Sequence, residues 1–321
     1  MFRMILAPSN VEELSKLLED ASARGEKIAS FKLNALQQIL EHAPDDMTVT
    51  TQAGVTLADL QTHLSQRGQW LPIDPPHQEQ TTVGSALATN ASGPRRMGCG
   101  TIRDYLLGIK VVLADGRSIK AGGRVVKNVA GYDLCKLFVG SQGTLGVIVE
   151  ATFKLRPLPE KEEFVQRHCQ SLEEASSLLE AVRESELTPN VLDLHNLSLP
   201  TARASMIFTL VLGFAGTDEE VDWEIAQARD LGISELSDLH HEKAFWANPS
   251  SRKVHRSSLL PSKLVQSLDV LRDIPFVARA GNGIVYSLDG PESPRDALPA
   301  KLMKRIKDAY DPKHILPEFP Q

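Results

Sequence analysis

The chain has only three cysteines in 321 residues, Cys99, Cys135 and Cys169. Their odd number and wide spacing exclude a disulfide framework and leave no ligand run for an iron–sulfur cluster or zinc. Electrons handled by such a chain must leave to another protein. Long apolar runs are also missing. The longest, Met206 to Ala215, is of strand length, well short of the roughly 18–20 apolar residues of a membrane span. The apolar start Met1-Phe2-Arg3-Met4-Ile5-Leu6-Ala7 stops at Pro8, too early for a secretory leader. The sequence therefore reads as cytoplasmic, reaching a membrane only through a complex. Positive charge is not in excess either: 35 Lys and Arg stand against 41 Asp and Glu, net −6, and no basic run occurs. That excludes a general attraction to nucleic acid. Nor does a G-x-G-x-x-G follow a first strand, which excludes a Rossmann dinucleotide site.

What is present is an ordinary globular composition, 42% hydrophobic and 24% charged, long enough for two domains. Glycine is unevenly spread, with twelve of the 21 between Gly84 and Gly146. Such a concentration fits either a loop-rich β domain or backbone approached closely by a ligand. Beyond Arg156-Pro157-Leu158-Pro159 glycine thins out, which divides the chain into 1–158 and 159–321. In the first part, Ser9 and Glu12 predict a capping box for a helix to Arg24, followed by strands Lys27–Phe31 and Met47–Gln52. Asn34 and Gln37 predict a helix from Ala35 to Ala43, and Thr56 with Asp59 another that ends by Gly68. Asp115-Gly116 marks a hairpin, and Leu145 to Leu155 alternates as a strand. The second part alternates helical patterns, such as Leu172–Arg183, Asp218–Leu231, Pro261–Leu271 and Arg295–Tyr310, with strands at Phe164–His168, Met206–Phe214 and Ile284–Leu288. The fold class is α+β.

The chemistry-bearing blocks lie between Leu71 and Val149. A Pro-Pro turn at Pro75 and Pro76 precedes Thr81-Thr82-Val83-Gly84-Ser85-Ala86-Leu87-Ala88-Thr89-Asn90, a short helix of small residues, and then Ser92-Gly93-Pro94-Arg95-Arg96. Backbone N–H groups at that helix start would face an anion, with Gly84 leaving no side chain in the way. Taken alone, Val83 to Gly93 is more often a tight turn than a phosphate cradle. Three further stretches favour a cofactor: Gly100-Thr101-Ile102-Arg103-Asp104, then Lys127-Asn128-Val129-Ala130-Gly131-Tyr132-Asp133, then Gly140-Ser141-Gln142-Gly143-Thr144-Leu145-Gly146-Val147.

In this order the blocks resemble the PCMH-type FAD-binding domain of the vanillyl-alcohol oxidase and D-lactate dehydrogenase flavoprotein superfamily. Ser92 to Arg96 and Lys127 to Asp133 are similar to the FAD-binding subunits of bacterial glycolate oxidases in particular. The resemblance implies a two-subdomain FAD domain, a smaller α+β cap whose C-terminal tail returns to the FAD domain, and noncovalent FAD. It implies cofactor contacts from Pro75, Pro76, Thr82, Val83, Gly84, Thr89, Asn90, Gly93, Gly100, Thr101, Asp104, Gly143, Gly146 and Val147. It also implies partners, a catalytic flavoprotein subunit and an iron–sulfur subunit, with a small 2-hydroxy acid as substrate of the complex.

Two departures from the family pattern stand out. The glycine-rich pyrophosphate loop expected between the first strands is absent, since no glycine lies between Gly25 and Gly54. A helix start at Asn34 with Lys32 beside it is the substitute the sequence offers for a diphosphate. The family's His-rich cap motif is likewise replaced by Ala278-Arg279-Ala280-Gly281-Asn282-Gly283. Oxidation of a 2-hydroxy acid needs a base and a cation for the carboxylate. Here Arg279 and His255 are the candidates, and catalytic roles stay unassigned. Two functions remain open: an FAD-binding subunit that passes electrons within a complex, or a cofactor-free scaffold derived from one.

Overall fold

The computed structural model describes residues 3–123, 133–197, 207–247, 253–289 and 300–319. Lys127, Asn128 and Tyr132 lie outside them, as do Met206 and the start expected for the last helix. The chain divides into two compact units, one of residues 1–92, 101–158 and 297–321, the other of residues 93–100 and 159–296.

The first unit begins with a strand–helix–strand crossover. Arg3–Leu6 and Lys27–Phe31 pair in parallel, joined by the helix Val11–Arg24. Leu14, Leu18 and Ala21 recur at helical spacing and are buried, which fixes the face that packs inward. The helix is capped one residue later than Ser9 and Glu12 suggested. Asn10 accepts from the Glu13 N–H, while Ser9 donates to the Glu13 carboxylate. Gly25, at φ 67°, closes the helix in the left-handed conformation that favours glycine.

The main sheet of this unit is five-stranded and antiparallel, in the order Ile39–Ala43, Thr48–Gln52, Val147–Lys154, Leu106–Val112, Ser118–Gly122. The hairpin expected at Asp115-Gly116 is formed, with Gly116 at φ 82°. The helix expected at Ala35–Ala43 is not. Ile39–Ala43 is an edge strand, and residues 33–36 form a tight turn in which the Leu36 N–H donates to the Leu33 carbonyl. Pairing with Thr48–Thr51 satisfies the backbone of this segment, and that tertiary gain outweighs the local capping pattern. Gly54 explains the tightness of the turn. A Cβ there would lie 2.1 Å from the Leu33 oxygen and 2.6 Å from that of Leu36.

The second unit is one seven-stranded antiparallel sheet. Its order is Glu235–Ser237, Lys161–Cys169, Phe208–Gly216, Val191–His195, Phe276–Arg279, Ile284–Leu288, Val254–Ser258. The two-residue period of a strand sends alternate side chains to opposite faces. Val165, Leu192, Leu194, Leu210, Leu212, Phe276 and Ala278 build one apolar core with residues of the helices Leu172–Glu184, Asp218–Asp230 and Leu264–Leu268. The intervening residues, among them Asp193, His195, Thr209 and Arg279, face the other way and are also buried.

The C-terminal helix Ala300–Tyr310 and the residues after it belong to the first unit. Ile315 and Leu316 enter the cluster of Leu14, Leu18, Val147 and Val149, and the Ile28 N–H donates to the Ile315 carbonyl. Buried Lys307 fixes this tail. Its Nζ donates to the Asp311 carboxylate at 2.7 Å, the Thr144 carbonyl at 2.9 Å and the Pro317 carbonyl at 3.0 Å. Asp311 in turn accepts the Ile315 and Leu316 N–H groups. Replacing one member of a buried ion pair strands the other, at about 3–5 kcal/mol. Lys307→Met is therefore expected to lower unfolding stability by that amount in urea titrations. A loss below about 1 kcal/mol would show that the tail is held by apolar contacts alone.

Candidate functional site

The first candidate region is the end of the helix Val83–Thr89 and the loop that meets it. The start of that helix does not present free N–H groups. Val83 donates to the Val55 carbonyl, Gly84 to the Ala53 carbonyl, and Ser85 to the Thr82 hydroxyl. Gly84 is small because Ala53 lies against it, a Cβ at 84 falling 2.8 Å from the Ala53 Cβ. The expected anion site at the helix start is thus corrected: its donors are satisfied within the fold. Packing likewise accounts for Gly146, pressed on Val111, and for the buried side chains of Val83 and Val147.

The other end of the helix is open to a ligand. Asn90 closes it in the left-handed region at φ 50°, and the loop 140–144 docks there through Gly140 N–H to Leu87 and Gln142 N–H to Ala88. Gly140 and Gly143 have positive φ, and side chains at these positions would meet only the Asn90 Cβ at 3.7 Å and the Phe31 ring at 3.9 Å. The Asn90 Oδ1 and Ser141 Oγ are buried with no hydrogen-bond partner among the described residues. Buried polar atoms are normally satisfied, so two orphans beside open glycine backbone mark a place completed by a polar ligand. Across from Gly143, the strand ending at Phe31 leads into Lys32 and the 33–36 turn. The N–H groups of Leu33, Asn34 and Ala35 find no partner among the described residues, and Asn34 and Ala35 are exposed. Consecutive unpaired amides of this kind can cradle an anion. These features fit a phosphate-bearing, ring-containing cofactor such as FAD.

The other expected contacts are placed as follows. Pro75 is buried, and the Pro76 carbonyl accepts from the Thr81 hydroxyl, which anchors the turn. Thr82 caps the helix, and the exposed Thr89 donates to the Ser85 carbonyl. Thr101 and Asp104 form a capping box with each other on a four-residue helix. Gly93 and Gly100 belong to the second unit with the segment between them. There Arg95 forks onto the Glu162 carboxylate at 2.6 and 2.7 Å, and Gly98 and Gly281 allow close approach of Asn190 and Met97. The three cysteines are buried and form no disulfide, and burial pushes the Cys135 and Cys169 thiols up to about 11. Neither is poised for redox chemistry at neutral pH.

The second region is a buried polar network that the sequence did not announce. Asp193 and Arg279 are direct partners across neighbouring antiparallel strands. The Arg279 Nη1 donates to Asp193 at 2.5 Å, its Nη2 to Glu242 at 2.6 Å, and the His241 Nε2 lies 3.0 Å from the same Asp193 oxygen. The Glu242 carboxylate also accepts from the Trp246 indole. Arg279, a candidate cation for a substrate carboxylate, has its guanidinium between two protein carboxylates. His255 sits opposite Ser287 on an edge strand, away from this network in the strand order. The signal available in the sequence was the VLDLH run, in which Asp193 and His195 alternate with apolar residues of a fully buried strand.

Burial opposes ionisation of Asp193, but Arg279 and His241 outweigh it and hold the carboxyl below its ordinary value. His195, stacked on His241 with ring centroids 4.7 Å apart, is pushed down to about 3 by burial and by the neighbouring imidazole. Because the folded value is depressed below the ordinary 6.5, the unfolded chain takes up this proton first. Stability from neutral His195 is complete above about pH 6.5 and declines by about 1.4 kcal/mol per pH unit towards pH 3. Urea titrations from pH 7 to 4 should therefore show wild type losing its advantage over His195→Gln as pH falls. A gap that stays constant with pH would show that His195 is not held neutral.

Comparison with known proteins gives three results. Residues 30–122 match the FAD binding domain family. The glycolate oxidase subunit GlcD of Bacillus subtilis is 33% identical over 210 residues, covering 59% of this chain and 44% of that protein. GlcE of Escherichia coli is 39% identical over 152 residues, covering 47% and 42%, and a D-lactate dehydrogenase of Archaeoglobus fulgidus is 37% identical over 172 residues, covering 48% and 39%. The matched stretches thus span less than half of each relative. Among solved structures, an alkyldihydroxyacetonephosphate synthase superposes with a TM-score of 0.75 at 18% identity, covering 99% of this chain and 77% of that one. The chain therefore shares the α+β fold of that structure.

Proposed function

We propose that the chain is an FAD-binding subunit of the vanillyl-alcohol oxidase type in a complex oxidising a small 2-hydroxy acid such as glycolate, a reading supported by the match of residues 30–122 to the FAD binding domain family. The observation that carries this reading is the pair of orphan polar atoms, Asn90 Oδ1 and Ser141 Oγ, beside the open backbone of Gly140 and Gly143. Noncovalent FAD fits there. Ser141 and Asn90 would hydrogen-bond its polar groups, and the amides of Leu33 to Ala35 with Lys32 would hold its phosphates. Bound FAD supplies the two-electron acceptor. Lys307 keeps the Thr144 carbonyl, and with it the loop, in place.

The shares of each relative covered, and the names of the relatives, support a division of labour. A catalytic flavoprotein subunit and an iron–sulfur subunit would take the steps for which this chain has no cysteine cluster. No helix among the described residues is long and apolar enough to cross a membrane. A cofactor-free scaffold is the second reading, and the glycine-free segment between Gly25 and Gly54, where the family's glycine-rich loop would stand, favours it.

Absorbance separates the two. Purified protein should carry the flavin bands or take up added FAD at about one per chain. Gly143→Val, which puts a β-branched side chain at φ 73° in the open cleft, should weaken uptake at least tenfold while the chain stays folded. A colourless preparation that also refuses FAD would establish the scaffold.

A further inference from the structure

A groove of about 680 Å³ lies in the second unit between the start of the helix Asp218–Asp230 and the 186–190 connection. Phe214 and Val221 reach it from the apolar core, and beside them the Trp223 side chain is 44% exposed. Glu186, Glu219, Glu220 and Glu224 complete the lining, which holds no lysine or arginine among the described residues. Elsewhere this chain pairs its carboxylates with bases, as in Glu150 with Lys110, Glu162 with Arg95 and Glu174 with Arg167. In the groove, Glu224 accepts only from Thr188 and Glu220 only from the Thr217 N–H, both neutral donors, and Glu186 and Glu219 have no partner among the described residues. The groove therefore presents uncancelled negative charge around an aromatic and apolar floor.

The matching charge lies on the C-terminal helix Ala300–Tyr310. Ile306, Lys307 and Tyr310 recur at helical spacing on the inward face, where Ile306 and Tyr310 pack on the core of the first unit and Lys307 is buried. Lys301, Lys304 and Arg305 share the opposite face at spacings of three and four residues. All three are exposed, and none pairs with a carboxylate among the described residues. Leu302 beside them is 50% exposed, an apolar side chain left in water. The helix is about 16 Å long. A short basic ridge with one leucine thus complements a short acidic groove with an apolar floor.

We propose that the groove receives the helix Ala300–Tyr310 of a second copy of this chain, and that two copies associate by exchanging this contact. Lys301, Lys304 and Arg305 of one copy meet the four glutamates of the other, one cation lies over the Trp223 ring, and Leu302 covers Phe214 and Val221. Because each copy carries both a groove and a helix, a two-fold pair closes with both contacts made twice. A single exposed ion pair adds little. Here three cations face four carboxylates, and an indole and a leucine leave water together, at two places in the same dimer. A basic segment of a different protein would neutralise the groove but leave the helix uncovered, whereas a second copy satisfies both.

Sedimentation velocity of the purified full chain over a range of concentrations tests this. Wild type should dimerise, and its affinity should fall at least about tenfold as salt rises from about 0.1 M to about 1 M, which shortens the screening length from about 10 Å to about 3 Å. One variant, Glu186→Lys with Glu219→Lys, reverses the groove, and another, Lys301→Glu with Lys304→Glu, reverses the helix. These four side chains make no bond among the described residues, so both variants should melt within about 5 °C of wild type. Each alone should dimerise at least about tenfold more weakly, since like charges then face each other. An equimolar mixture of the two should regain the wild-type affinity to within about threefold, because both contacts of the mixed dimer are again opposite in sign. Trp223→Ala should weaken the dimer several-fold. A wild-type chain that stays monomeric at about 0.1 mM, a dimer indifferent to both reversals, or a mixture that does not recover would overturn the proposal.

Discussion

A single buried ammonium group, the Nζ of Lys307, ties the C-terminal tail to the loop that shapes the candidate FAD site. It draws together the Thr144 carbonyl, the Asp311 carboxylate and the carbonyls of Leu316 and Pro317. Without such a donor those carbonyls would face each other in an apolar setting, an arrangement that burial makes costly. With it, the 140–144 loop is fixed against the end of the helix Val83–Thr89, where positive-φ glycines leave the backbone bare. The openness of that place depends on rigid surroundings, since a mobile loop would collapse onto its own unpartnered Ser141 and Asn90.

The second unit solves a different problem on one sheet. Its apolar face is an ordinary helix-covered core. Its polar face buries an arginine, two carboxylates and two stacked imidazoles, pairing Asp193 with Arg279 across adjacent strands and adding Glu242 and His241 from the helix His240–Trp246. A buried ion network adds little stability over an apolar core, and removing one partner is expensive. Such an arrangement is better understood as fixing the position of His241 and the protonation of His195 than as a source of net stability.

Glycine illustrates how residue type and role separate. Gly54, Gly84 and Gly146 are small because neighbouring backbone or side chains press on them, whereas Gly140 and Gly143 adopt positive φ beside open space. In the sequence these five look alike. Only the neighbours decide which serve packing and which leave room for a ligand.

The sequence by itself determined the α+β class, the flavoprotein resemblance, the hairpin at Asp115-Gly116 and the helices with clean caps. These rest on local rules: side-chain period, capping chemistry and turn residues act over a few positions. It misjudged Ala35–Ala43, where a capping pattern yields to strand pairing, and it missed the Asp193–His241–Arg279 network altogether. The edge strand depends on pairing with residues 48–51, and the network on partners 48 and 86 residues apart in the chain. Only the tertiary structure decides them, because the register of antiparallel strands, unlike a helix cap, is set by what lies across the sheet rather than along the chain.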